Sequence, residues 1–142
     1  MRSAKVAKKI KITADTNVLI SSLICVSAVA VRVLDLADEG LCEIMTSDEI
    51  ITEFKRVAAV KFGWNAEKCA RADNMLRRLC TVVKPAARVK AVKQDPDDDK
   101  IIECALEAKA DYIVTGDKHL LDLGSHGKVK IITIAQFMRL MA

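Results

Sequence analysis

Five short runs of β character alternate along this chain with amphipathic helical stretches, and most of the joins between them are short. The runs are Ile10–Thr13, Leu41–Met45, Thr81–Val83, Tyr112–Thr115 and Lys130–Ile134. Between them, apolar spacing predicts helices over Asn17–Ile24, Val29–Ala37, Asp97–Lys109, Lys118–Leu123 and Gln136–Leu140. A further helix opens at Thr46, with Glu49 in capping-box position, and runs to about Lys61. Another is capped by Asn65 and turns Cys69, Ala72, Met75, Leu76 and Leu79 to one side. Asp95-Pro96 reads as a helix start, with proline at the first helical position. Strands alternating with helices imply a parallel sheet covered by helices on both faces, joined by right-handed crossovers. With 142 residues, we expect a single α/β domain over residues 1–142.

Composition narrows the function classes. Aromatic residues make up only 4% of the chain, which argues against a module that stacks bases on aromatic platforms. The five cysteines are widely spaced and form no CxxC pair, which excludes a zinc ribbon or a thioredoxin motif. We expect them reduced and mostly buried, in a cytoplasmic protein. Met1–Lys11 is basic and Thr16–Val31 is uncharged, which imitates a secretory leader. Asp15 interrupts the junction, and Thr16, Asn17, Ser21 and Ser22 make a poor apolar region, so we do not read it as one. The stretch also falls short of the roughly 20 apolar residues of a membrane span, so no membrane partner is expected.

Parallel α/β sheets place their sites beyond the carboxyl ends of the strands. Asp15 follows the first strand and Asp117 follows the fourth. A lone Asp there usually caps a turn. Two in corresponding positions enter one crevice if their strands are neighbours. Glu53 falls on the border of its helix's apolar stripe, beside Ile50 and Val57. Asp95-Pro96-Asp97-Asp98-Asp99 holds four acids in five positions, more than one cap and one first-turn acid require. Several carboxylates brought together resist joint ionisation, and a divalent cation removes the conflict. Carboxylates without a Cys/His cluster point to Mg²⁺ or Mn²⁺. Such ions can activate water and stabilise the leaving oxygen in phosphodiester hydrolysis. His119 and His126 lie in polar segments and are given no catalytic role.

In order along the chain, Asp15-Thr16-Asn17-Val18-Leu19, Ser47 to Phe54, Asp95 to Lys100 and Ala110 to Lys118 resemble the motifs of PIN-domain nucleases. The pattern is most similar to the prokaryotic VapC-like toxins of toxin–antitoxin pairs. The resemblance implies a three-layer, Rossmann-like PIN domain: a five-stranded parallel sheet flanked by helices, with its first and fourth strands adjacent. It implies that Asp15, Glu53, Asp98 and Asp117 are the catalytic, metal-binding acids. Asp98 is chosen because it lies seven residues before Ala105, as the family pattern has it, with Asp95 and Asp99 as alternatives. Thr16, Asn17, Thr115 and Asp99 become supporting residues. The resemblance further implies an RNA substrate, a homodimer and a small antitoxin partner that blocks the acidic crevice.

Charge is segregated in a way that fits such an enzyme. Lys55–Lys93 holds eleven Lys/Arg against Glu67 and Asp73 alone, while the flanking segments are net acidic. Lys55, Arg56, Arg71, Arg77 and Arg78 are therefore candidate contacts to a phosphate backbone. The function expected is metal-dependent endoribonuclease, as a toxin. The alternatives are an RNA-processing PIN nuclease outside any such pair, and a non-catalytic RNA- or protein-binding module on the same fold. A receiver-like phosphoacceptor would want a paired acidic motif after the first strand, where this chain has Asp15 alone.

Overall fold

The computed structural model describes residues 9–86, 88 and 98–142. Asp95 and Pro96, and the helix start read there, lie outside the described residues. Six strands and seven helices follow one another among the described residues: β1 (Ile10–Ala14), α1 (Thr16–Leu23), α2 (Ala28–Asp38), β2 (Cys42–Ser47), α3 (Asp48–Phe62), α4 (Ala66–Leu79) and β3 (Cys80–Val83), then α5 (Asp99–Ala108), β4 (Tyr112–Val114), α6 (Lys118–Leu123), β5 (Ser125–His126), β6 (Val129–Ile132) and α7 (Ile134–Met141). The sheet order is β3-β2-β1-β4-β6-β5.

The five expected strands are all present and all parallel, so the α/β reading holds. The strand count is corrected from five to six. The addition is the two-residue β5, which pairs antiparallel with β6 at the sheet edge. It is too short to carry an alternating pattern, and it folds back through Gly127 at φ 59°.

The expected adjacency of the first and fourth strands is present, with Ala14 opposite Val114. Asp111 fastens the other end of this pair: its N–H donates to the Lys11 carbonyl at 2.8 Å. Its carboxylate accepts the Lys11 N–H at 2.9 Å. α5 packs across β1, β2, β3 and β4, burying Ile101, Ile102, Cys104, Ala105 and Ala108. The core is aliphatic, with Phe54 and Phe137 as its fully buried aromatics among the described residues. Val18, Leu19 and Ile20, from the uncharged stretch after Asp15, are part of that core.

One cap is corrected. Thr46 does not open α3, because β2 runs on and pairs Thr46 with Val82 and Ser47 with Val83. Ser47 is the N-cap, and its hydroxyl accepts the Ile50 N–H at 3.3 Å. Glu49 is thereby outside any capping box and pairs with Arg88 at 3.0 Å. α7 likewise starts earlier than expected, at Ile134, on a capping box of Thr133 and Gln136.

All five cysteines are free, and Cys42, Cys69, Cys80 and Cys104 are buried. Burial pushes the Cys42 thiol up to about 11 and those of Cys80 and Cys104 to about 12. These thiols pack as hydrophobes and are poor nucleophiles. No single helix among the described residues is long and apolar enough to cross a membrane.

Candidate active site

The adjacency of β1 and β4 sets the first two acids. Where β1 ends, the Asp15 N–H donates to the Val114 carbonyl at 3.0 Å, which seats Asp15 at the carboxyl end of the sheet. Asp15 then caps α1 by accepting the Asn17 N–H at Oδ1, 3.3 Å away. Its Oδ2 accepts the Thr115 hydroxyl at 2.6 Å. Thr115 is fully buried, and its Oγ1 in turn accepts the Asp117 N–H at 2.9 Å. Asp117 caps α6, with Oδ1 accepting the His119 N–H at 2.7 Å. One relay of hydrogen bonds thus links Asp15, Thr115, Asp117 and His119.

The third acid arrives on α5. Asp98 stands at the N-cap position, yet its side chain does not cap the helix. It is buried, and one oxygen each of Asp98 and Asp117 and one ring nitrogen of His119 lie within 4.8 Å of one another. Among the described residues, Asp98 is thus brought to Asp117. Asp99 is also buried, in the first turn of α5, and Asp95 lies outside the described residues.

Glu53 reaches the same region from α3. Its Oε1 accepts the hydroxyl of the buried Thr16 at 2.9 Å. The same oxygen lies 3.2 Å from the Lys100 ammonium, whose side chain is mostly buried. Arg56 stands 3.8 Å from Oε2. Glu53, Arg56 and Lys100 line an open cavity with Asp48, Glu49 and Thr52. The border position read from the helical period is the position observed: Ile50 is buried and the Glu53 head remains partly open.

Electrostatics separates Asp15 from an ordinary cap. Burial pushes its carboxyl above the usual carboxylate value, and the nearby charges of Asp117 and Glu53 add to that. The bonds from Thr115 and Asn17 work in the other direction. A group held against its ionised form in this way is suited to receive a cation. The donor set fits a small divalent ion: hard carboxylate oxygens from Asp98 and Asp117, with Asp15 joined to Asp117 through the Thr115 hydroxyl.

Two residues outside the sequence candidates also stand beside these acids. Lys100 is a half-buried cation paired with Glu53, and its signal is its place two residues after Asp98 in the first turns of α5. His119 was passed over because it sits in a polar segment; the signal was its position two residues after Asp117. Of the other supporting residues, Asn17 acts through its backbone N–H, and its side chain is exposed.

The basic candidates divide. Lys55 and Arg77 are held by Asp73 at 2.6 and 2.7 Å, and Arg77 also by Asp48 at 2.9 Å, so both fasten α3 to α4. Arg71 pairs loosely with Glu67 at 3.6 Å on an exposed face. Arg78 borders a different cavity, with Asp35 and Asp38. Arg56 is the one that stands beside the acids.

A family model described as PIN domain matches residues 11–119, a span that contains every acid above. This chain belongs to the PIN-domain family. That family is nuclease-type. An uncharacterized protein of Methanocaldococcus jannaschii is 34% identical over 124 residues, covering 84% of this chain and 79% of that protein. Among solved structures, VapBC2 of Rickettsia felis, bound to a DNA fragment from its promoter, matches this PIN domain with TM-score 0.64 at 13% identity, over 87% of this chain and 98% of that one. VapBC-1 of nontypeable Haemophilus influenzae matches with TM-score 0.55 at 20% identity, over 89% and 99%. A Pyrobaculum aerophilum protein matches with TM-score 0.59 at 12% identity, over 97% and 93%. At these identities the structural likenesses speak for a shared PIN fold.

Proposed function

We propose that this PIN domain is an endoribonuclease that depends on Mg²⁺ or Mn²⁺, and that it serves as the toxin of a toxin–antitoxin pair. The observation that carries the nuclease reading is the convergence of Asp98 and Asp117 within 4.8 Å, beside an Asp15 whose carboxyl is pushed up by burial and by its acidic neighbours. Asp98 and Asp117 would hold the ion, with Asp15 and Glu53 completing its acidic surround. When bound, the ion supplies activation of water and stabilisation of charge on the phosphate.

The chain's own residues do the rest. Thr115 fixes Asp15 and Asp117 relative to each other, and Thr16 fixes Glu53. Arg56 and Lys100 supply positive charge on the cavity wall, where they can grip the phosphates that flank the cut. In the reaction a water oxygen bonds to phosphorus and the bond from phosphorus to the leaving ribose oxygen breaks. The toxin reading rests on the fold shared with the VapBC proteins, and with it come a small antitoxin partner, a homodimer and a cytoplasmic site of action.

The test is cleavage of matched RNA and DNA oligonucleotides by the pure chain, with Mg²⁺ or Mn²⁺ and with EDTA. Cutting of RNA that needs the ion supports the proposal. Cutting of DNA alone moves the assignment to a deoxyribonuclease, and metal-independent cutting refutes it. Co-purification with the product of an adjacent short reading frame, with loss of cleavage in the complex, tests the toxin half.

A further inference from the structure

We propose that His119 gives a ring nitrogen to the same cation that Asp98 and Asp117 bind, which makes the centre a mixed nitrogen–oxygen site that favours Mn²⁺ over Mg²⁺. The inference rests on the metal-dependent reading above and adds a ligand and an ion preference to it.

The geometry comes from the short helix after β4. Asp117 Oδ1 accepts the His119 backbone N–H at 2.7 Å, so the first turn of α6 ties the histidine to that carboxylate. The ring follows: Nδ1 lies 3.9 Å from the same Oδ1. That is too far for a hydrogen bond, so ring and carboxylate converge without closing on each other. Asp98, from a different element, brings its oxygen to the same place, and all three donor atoms fall within 4.8 Å. The histidine side chain is 44% exposed, so an ion reaches it without disturbing the core. A direct pairing of the His119 ring with the Asp117 carboxylate is the competing account, and the 3.9 Å separation leaves that pair without a hydrogen bond.

Donor chemistry then sets the preference. Mg²⁺ takes oxygen ligands in a strict octahedron and gives up its waters reluctantly. Mn²⁺ shares the carboxylate and water ligands of Mg²⁺, and as a first-row transition metal it also accepts a nitrogen donor more readily than that hard ion does. Two carboxylates would serve either ion. Adding an imidazole tilts the same site toward Mn²⁺.

Pulsed EPR of the Mn²⁺-loaded, tag-free chain reads the nitrogen directly, and competition titrations read the Mn²⁺ and Mg²⁺ affinities. The expected result is a ¹⁴N coupling in the wild type that is absent from His119→Ala and His119→Asp. His119→Ala should lose at least about tenfold in Mn²⁺ affinity, since even an outer-shell partner is worth about 10–100-fold. Its Mg²⁺ affinity should move much less. His119→Asp should restore binding while narrowing the Mn²⁺/Mg²⁺ ratio. A wild-type ion that is lost in Asp117→Asn but shows no ¹⁴N coupling overturns the inference and leaves the carboxylate site standing. So does a coupling that survives in His119→Ala. If the wild type binds neither ion, or if Asp98→Asn and Asp117→Asn bind as well as it does, the metal-dependent reading fails and the inference goes with it.

Discussion

Asp15 is the residue at which function and stability oppose each other most plainly. Its carboxyl is buried near Asp117 and Glu53, an arrangement that disfavours the ionised form in the absence of a cation. Asp15→Asn keeps the shape and removes the charge, and the Thr115 hydroxyl can accept as well as donate. The metal-free variant should therefore melt no lower than the wild type. It should gain about 2–4 °C for each kcal/mol of repulsion relieved, while its cleavage activity is lost. A clear fall in melting temperature, read by calorimetry in EDTA, would show that Asp15 is mainly structural. Thr115 is the complementary case. Thr115→Val takes the hydroxyl from the Asp15 carboxylate and from the Asp117 N–H together. That should cost about 1–3 kcal/mol in urea unfolding. Cleavage should also slow by about tenfold or more, and Thr115→Ser should recover both. An active, stable Thr115→Val would mean that the relay does not position the acids.

Helices and strands carry their own tests. Ser47 caps α3 while Thr46 still belongs to β2, and the buried Thr46 hydroxyl has no hydrogen-bond partner among the described residues. Ser47→Ala should lose about 1 kcal/mol, whereas Thr46→Val should be neutral or stabilising. The reverse ranking by chemical denaturation would return the cap to Thr46. Between α3 and α4, the hydrogen bond from Lys55, and after it the one from Arg77, holds the Asp73 carboxyl below the usual carboxylate range. An acid with a lowered folded value stabilises above its unfolded value, and that contribution fades as pH falls through the folded one. Wild type should therefore exceed Asp73→Asn in melting temperature near neutral pH and lose the advantage in strong acid. A constant gap across that range would deny the link.

These elements also show how far the sequence carries. The apolar periods of α4 and α5, the Asn65 cap and the five parallel strands could be read directly, because each leaves a local pattern. The Thr46–Ser47 boundary could not, because both residues make good caps and only the partner strand β3 decides between them. β5 was too short to leave a pattern at all.

At the scale of the whole molecule, the site is assembled from segments far apart in sequence. Asp15, Glu53, Asp98 and Asp117 come from the ends of two strands and from two helices. The motifs could be read one by one, and the resemblance supplied the adjacency of β1 and β4 that lets them meet. Asp98 was chosen on its spacing to Ala105, and the fold brings it to Asp117, whereas the nearness of His119 and Lys100 to these acids needed the third dimension, because both look like ordinary solvated residues in a linear reading. The positive charge between Lys55 and Lys93 was legible as a total but not as a surface. Of the five candidates, Lys55 and Arg77 are occupied by Asp73 and Asp48, Arg71 and Arg78 lie elsewhere, and Arg56 stands at Glu53 together with Lys100 from outside the block.

If Asp98 and Asp117 serve one reaction centre, each is needed for cleavage. The most direct measurement is single-turnover RNA cleavage in Mn²⁺ by the wild type, Asp98→Asn and Asp117→Asn, each shown to be folded by circular dichroism. The wild type should cut in a metal-dependent way, and each variant should lose at least about a hundredfold, roughly 2.7 kcal/mol in the barrier. Folded variants that cut at the wild-type rate would contradict it.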